Sequence, residues 1–150
     1  MGWWSATILG GDVPLDTMYD LVQSFCGYTK EWDGWDGNLK AMKEGLENTT
    51  EQQLLTFIGK AYSPAIAAQC VAYAHMVCGA ILPATLRMIA IKTCEAEDTS
   101  GWDIPEERVS YLDQFSLMIQ KYDDSTPQRP PEEHLFDVFA RRASERQEKG

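Results

Sequence analysis

The sequence predicts an all-α protein, a compact bundle of five or six helices with an aromatic-rich N-terminal segment. Three observations carry that expectation. Apolar residues recur at three- and four-residue spacing in successive segments. Each such segment opens on proline, aspartate, asparagine or a hydroxyl residue. No stretch alternates apolar and polar residues over six or more positions, as a half-buried strand would. At 150 residues the chain fits a single domain, 1–150. A domain of that size buries ~68–70% of its unfolded surface and needs no staples.

Asp12 and Pro14 introduce LDTMYDLVQSF, in which Leu15, Met18, Tyr19, Val22 and Phe25 share one face. Asp12 is expected to cap this helix, Pro14 to occupy its first turn, where a missing N–H costs nothing, and Gly27 to end it. Next comes YTKEWDGWDGN, with two Trp-Asp-Gly units, Trp32-Asp33-Gly34 and Trp35-Asp36-Gly37. Asp-Gly pairs favour turns, so this segment reads as a loop. Asn38 caps a brief helix over LKAMKEGLE. The spacing of Thr49 and Gln52 suits a capping box that opens EQQLLTFIGKA, with Leu54, Leu55 and Ile58 inward.

Ser63-Pro64 opens PAIAAQCVAYAHMVCGA, and Pro83 opens a helix through Leu86, Ile89, Ala90 and Thr93 to Glu97. Both are apolar over most of their girth and mark the centre of the fold. Beyond DTSGWD, Pro105 leads EERVSYLDQFSLMIQKY, whose expected buried stripe is Val109, Leu112, Phe115, Leu117 and Ile119. DDSTPQRPP breaks the chain, and EEHLFDVFARRASERQEK reads as a last helix. Residues 127–150 are thus set apart as a C-terminal helical addition.

Asp and Glu number 23 against 13 Lys and Arg, a net charge of −10 at pH 7. A field of this sign opposes nucleic acid and anionic membranes and suits a protein partner with a basic surface. The uncharged stretch between Lys60 and Arg87 is interrupted by Pro64, Gln69, His75, Gly79 and Pro83, so it reads as two buried helices rather than a span. Cys26, Cys70, Cys78 and Cys94 lie in apolar helical surroundings without a C-x-x-C pair, which points to reduced thiols and a cytoplasmic setting. MGWWSATILGG has no basic region ahead of its apolar residues and does not read as a signal peptide.

Trp3, Trp4, Trp32, Trp35 and Trp102 all fall in connecting segments. Rings there pin loops to a bundle. Beside Asp33 and Asp36 they also suit an interface, because tryptophan anchors hot spots and carboxylates select basic partners. Trp32, Asp33, Trp35, Asp36 and Trp102 are therefore the candidate interaction residues, with the loop tryptophans and aspartates expected to be exposed together. A second set is Asp12, Asp16 and Asp20, four residues apart, together with His75. Converging on one pocket, these would serve a small metal- or nucleotide-dependent enzyme. The simpler reading makes Asp12 a cap, Asp16 and Asp20 helix surface, and His75 a core residue. No Glu-x-x-His, G-x-S-x-G, H-E-x-x-H or phosphate-loop motif occurs, so no metal or cofactor is expected.

The opening MGWWSATILGGDVPLD resembles the start of a family of small, uncharacterised, all-helical bacterial and phage domains. Members begin Met-Gly-x-Trp-Gly and continue Phe-x-x-Asp-x-Ala-x-Asp; the matching residues are Gly2, Trp3 or Trp4, Asp12, Leu15 and Asp16. Ser5 replaces the family's glycine, and Ile8-Leu9 its phenylalanine. The pair 64–79 and 83–97, then Trp102 and a helix over 105–122, are similar in order and size, so the resemblance spans 1–125. It implies an all-helical fold and a role beside toxin, immunity or defence functions, and assigns no catalytic residue. Trp3, Trp4, Asp12 and Asp16 then form a structural motif at the mouth of the bundle. The expected function is a non-enzymatic protein-interaction module of phage, host-interaction or immunity type.

Overall fold

The computed structural model describes residues 7–9, 11–102, 104–132 and 143–144. Among them are six helices: α1 (Asp12–Phe25), α2 (Leu39–Asn48), α3 (Glu51–Lys60), α4 (Pro64–Cys78), α5 (Ala84–Ala96) and α6 (Pro105–Lys121). No strand occurs among the described residues, and the fold is the all-α bundle the sequence predicts. Trp3, Trp4, His134 and most of the last expected helix lie outside the described residues.

α4 is the hub. Ser63 accepts the Ile66 N–H at its start, Pro64 fills its first position, and Gly79 ends it at φ 74°. Every residue from Ile66 to Ala80 is buried. A helix apolar on all sides must be wrapped. α1, α2, α3 and α5 each pack directly on it, and α6 packs on α5. α6 also reaches α4 through Phe115, whose ring lies 6.3 Å from that of Tyr73.

Local signals place most helix starts. The Asn38 side chain accepts the Ala41 N–H at 3.0 Å. The capping box of α3 sits one residue later than expected: Thr50 accepts the Gln53 N–H at 3.1 Å, and Gln53 accepts the Thr50 N–H at 2.9 Å. Thr49 instead finishes α2, donating its hydroxyl to the Gly45 carbonyl at 2.7 Å. Asp12 is not the cap of α1. That position is Gly11, extended and without a side-chain bond, while Asp12 is the first helical residue, exposed at the positive end of the helix.

α6 is phased differently from its expected stripe. Val109 and Leu117 are 47% and 52% exposed, while Arg108, Tyr111, Leu112, Phe115 and Ile119 face inward. The cause is Arg108, whose buried guanidinium sets the inward face. Beyond α6, residues 122–132 run as a strap over the C-terminal end of α4. The Tyr122 hydroxyl lies 2.7 Å from the Ala80 carbonyl, and the Gln128 N–H donates to the Met76 carbonyl at 2.7 Å. Arg87 of α5 holds the turn, donating to the Ile119 and Tyr122 carbonyls and pairing with Asp124 at 2.6 Å.

Two glycines report how tightly the helices approach. A Cβ at Gly45 would lie 2.3 Å from the Phe25 carbonyl oxygen, because α2 crosses the end of α1 backbone to side-chain-free backbone. At Gly59, on the exposed side of α3, a Cβ would meet nothing within 4 Å. Gly45→Ala is expected to destabilise the fold by about 1–3 kcal/mol, as overpacking does. Gly59→Ala should stabilise it by about 0.5–1 kcal/mol, as a better helix former. Thermal or urea melts of the two variants check both signs.

Candidate functional site

α1 buries Pro14, Thr17, Met18, Leu21 and Val22. At 100° per residue, the exposed Asp12, Asp16 and Asp20 then fall along one outward ridge. On one flank of this ridge a groove of about 810 Å³ separates α1 from α3. Val13, Asp16, Thr17 and Asp20 form part of its α1 wall, and Gln53, Thr56, Phe57 and Lys60 part of its α3 wall. The groove exists because both helices are seated on α4 and hardly touch each other. Phe25 and Phe57 do meet, edge to face with ring centroids 5.8 Å apart, and both rings line the groove. Tyr62, 87% exposed, stands on its rim. On the other flank of the ridge, Tyr19, Tyr28 and Trp32 form a half-buried chain of edge-to-face rings, 5.5 and 5.4 Å apart.

The Trp-Asp-Gly loop does not present its four residues together. Trp35 is only 7% exposed and packs its ring 5.7 Å from that of Tyr73. Gly34, at φ 85°, reverses the chain between the two units and sends the rings to different surroundings. Trp32 is half-buried and Asp33 exposed, while Asp36 pairs with Arg129 of the strap at 2.9 Å. The expectation of a jointly exposed loop is thus corrected: Trp35 belongs to the core. Trp102 is also structural, its half-buried ring lying 4.2 Å beneath the Arg108 guanidinium.

Arg108 is the feature that residue-by-residue reading missed. Fully buried, it donates from Nε and Nη2 to the two Glu97 carboxylate oxygens at 2.8 and 2.9 Å. Nη2 also donates to Gln69 Oε1 at 2.9 Å, and Nη1 to the Thr7 carbonyl at 3.0 Å. Gln69 in turn donates to Glu97 at 3.0 Å. One network thereby joins α4, the end of α5, α6 and the N-terminal segment. The signal was present in the spacing: Arg108 precedes Leu112, Phe115 and Ile119 by four, seven and eleven residues, all on one helical face.

His75 is completely buried. Its Nδ1 lies 2.7 Å from the Val71 carbonyl, which can only accept, so Nδ1 carries the proton and Nε2 is bare and without a hydrogen-bond partner. Burial pushes its pKa down to about 4, so the ring is neutral. It does not line the groove, whereas Asp16 and Asp20 both do. All four cysteines are free and buried. Burial pushes Cys26 and Cys94 up to about 12 and Cys78 to about 11, leaving them as thiols at neutral pH. Among the described residues, no group of three or more His, Cys, Asp or Glu could hold a metal ion, and no helix is long and apolar enough to cross a membrane.

The chain matches no protein-family model, no curated protein and no solved structure.

The Arg108 network makes a quantitative demand. Arg108→Ala strands a carboxylate whose side chain is only 7% exposed. A loss of about 3–5 kcal/mol is expected in urea unfolding. Arg108→Met with Glu97→Gln removes both charges and should lose less than the sum of the two single changes, a coupling that a double-mutant cycle reads directly.

Proposed function

We propose that this chain is a non-enzymatic protein-interaction module that takes a cationic amphipathic segment of a partner into the α1–α3 groove. The groove carries the reading. It runs beside α1 from Val13 to Phe25, about 18 Å at 1.5 Å per residue, enough for three turns of a partner helix. Its volume is within the range of sites that bind through a few inserted side chains. Phe25 and Phe57 offer those side chains apolar contact, and the threonine and glutamine side chains on the walls offer hydrogen bonds.

Charge supplies the selection. Asp16 and Asp20 stand on one wall and Lys60 is the single cation among the lining residues, on a chain of net charge −10. A helix laid in such a groove presents apolar anchors inward and basic residues toward the aspartate ridge. Trp32 and Asp33, beyond the ridge, extend the same acidic and aromatic surface. Trp35, Asp36 and Trp102 act by holding the loop and the Arg108 network in place. The resemblance of the opening sequence supports a setting in phage–host interaction or immunity, and the unpaired buried thiols support a reducing cytoplasm.

Fluorescence anisotropy with labelled amphipathic peptides tests this. One peptide carries leucine and phenylalanine on one helical face and lysine and arginine on the other; a second has the same composition scrambled. Saturable binding is expected for the first alone, weakening with salt. Asp16→Lys with Asp20→Lys should weaken it at least about tenfold while leaving the melting temperature near that of the parent, because both positions are exposed helix surface. Equal binding of the scrambled peptide, or undiminished binding by the double variant, overturns the reading.

A further inference from the structure

We propose that the chain's own C-terminal segment, residues 133–150, is the resident occupant of the α1–α3 groove, which a partner must displace. This rests on the reading of that groove as a seat for cationic amphipathic segments. Where the segment starts, how far it reaches and how its charges are spaced all point to the same seat.

The segment departs from the entrance to α1. Glu132 is fastened there: one carboxyl oxygen accepts the Leu9 N–H at 3.0 Å and the other accepts the Thr7 hydroxyl at 3.1 Å. Just before it, the Tyr111 hydroxyl donates to the Pro131 carbonyl at 2.9 Å. Leu9 is four residues ahead of Val13, where the α1 wall of the groove begins. Four residues span at most about 14 Å, so residues 133–136 suffice to bridge a similar distance and bring Leu135 and Phe136 to the groove's mouth. Residues 137–150 then make about 21 Å of helix, against a groove of about 18 Å.

The pattern of the segment matches the walls. At 100° per residue, Leu135, Phe136, Phe139 and Ala143 share one face. Arg142, Arg146 and Lys149, spaced by four and three residues, line one flank of that face, and Asp137, Arg141 and Glu148 fall on the opposite side. Apolar anchors laid against Phe25 and Phe57 thereby set the basic flank beside Asp16 and Asp20. Ala143 and Ser144 are helical, and both are exposed, so at Ala143 the apolar face has no cover from the bundle. A groove with uncovered rings and a tethered helix with an uncovered apolar face belong to one chain. Seated and lifted segments are then two states in exchange. The tether holds the segment at an effective concentration on the order of millimolar, so even a weak seat competes with a partner.

Paramagnetic relaxation in the full chain tests this without a partner. The four native cysteines are free and buried, so a nitroxide reagent is directed to an introduced thiol, Ser144→Cys, at an exposed position away from the apolar face. The label is expected to broaden the amide resonances of Thr17, Asp20 and Thr56. Arg142→Glu with Arg146→Glu should abolish the broadening, and adding Asp16→Lys with Asp20→Lys should restore it. The tail reversal alone should also tighten binding of the basic amphipathic peptide at least about tenfold, read by fluorescence anisotropy. Groove amides that stay sharp in the labelled parent, broadening untouched by the reversal, or equal peptide affinity in the parent and reversed chains overturns the proposal. Equal broadening in a mixture of nitrogen-15 protein with labelled, unenriched protein does so too, since the occupant is then a second copy. If the peptide binds neither chain while the broadening behaves as expected, the tail's seat stands and the reading of the groove as a partner site falls.

Discussion

The burial of α4 on every side is the constraint from which the remaining structure follows. Its alanine-rich sequence lets neighbouring helices approach closely, and fifteen consecutive positions from Ile66 to Ala80 are buried. Four helices and a strap are needed to cover a cylinder of that kind. Helices that wrap one cylinder need not fill the space between themselves, and α1 and α3 do not. The groove is a by-product of how the hub is covered. The same burial accounts for the two buried side-chain atoms without a hydrogen-bond partner among the described residues, Tyr73 Oη and His75 Nε2, which lie on this central helix away from solvent.

Arg108 shows how an electrostatic requirement can outrank hydrophobic pattern. Removing a guanidinium from water costs several kcal/mol, recovered only if its donors are met. Here Glu97, Gln69, the Thr7 carbonyl and the face of Trp102 meet them. All those partners lie on other elements, so α6 can turn only to the angle that presents Arg108 to them. Val109 and Leu117 are left outside as a result, although either would bury favourably on its own.

Helix starts were legible because their signals are local: Asn38, Ser63-Pro64 and Pro105 each satisfy or dispense with N–H groups within one turn. The centrality of α4 was legible for the same reason, since apolarity on all faces has one physical meaning. What failed to show was long-range. The Thr49–Gln52 spacing is as good as Thr50–Gln53, and only the end of α2 decides between them. Trp35 and Trp32 are each followed by Asp-Gly, yet one meets Tyr73 and the other Tyr28, a choice made by a turn and a distant helix. Asp16 and Asp20 could be placed on one face, but the groove beside them needs α3, about thirty residues on, to be seated nearby.

Cation placement connects the interior to the surface. Each of the three ion pairs among the described residues takes an arginine: Arg87 with Asp124, Arg108 with Glu97, Arg129 with Asp36. Two of these arginines are buried or largely so, and all three hold the strap, the α6 phase or the loop in position. Positive charge is thereby committed to architecture in a chain already short of it. The aspartates of α1 receive none of these partners, and their ridge faces outward with Lys60 as the nearest cation lining the groove. An acidic, half-apolar groove is therefore what remains when a sequence with few cations uses the arginines among its described residues to fasten the bundle.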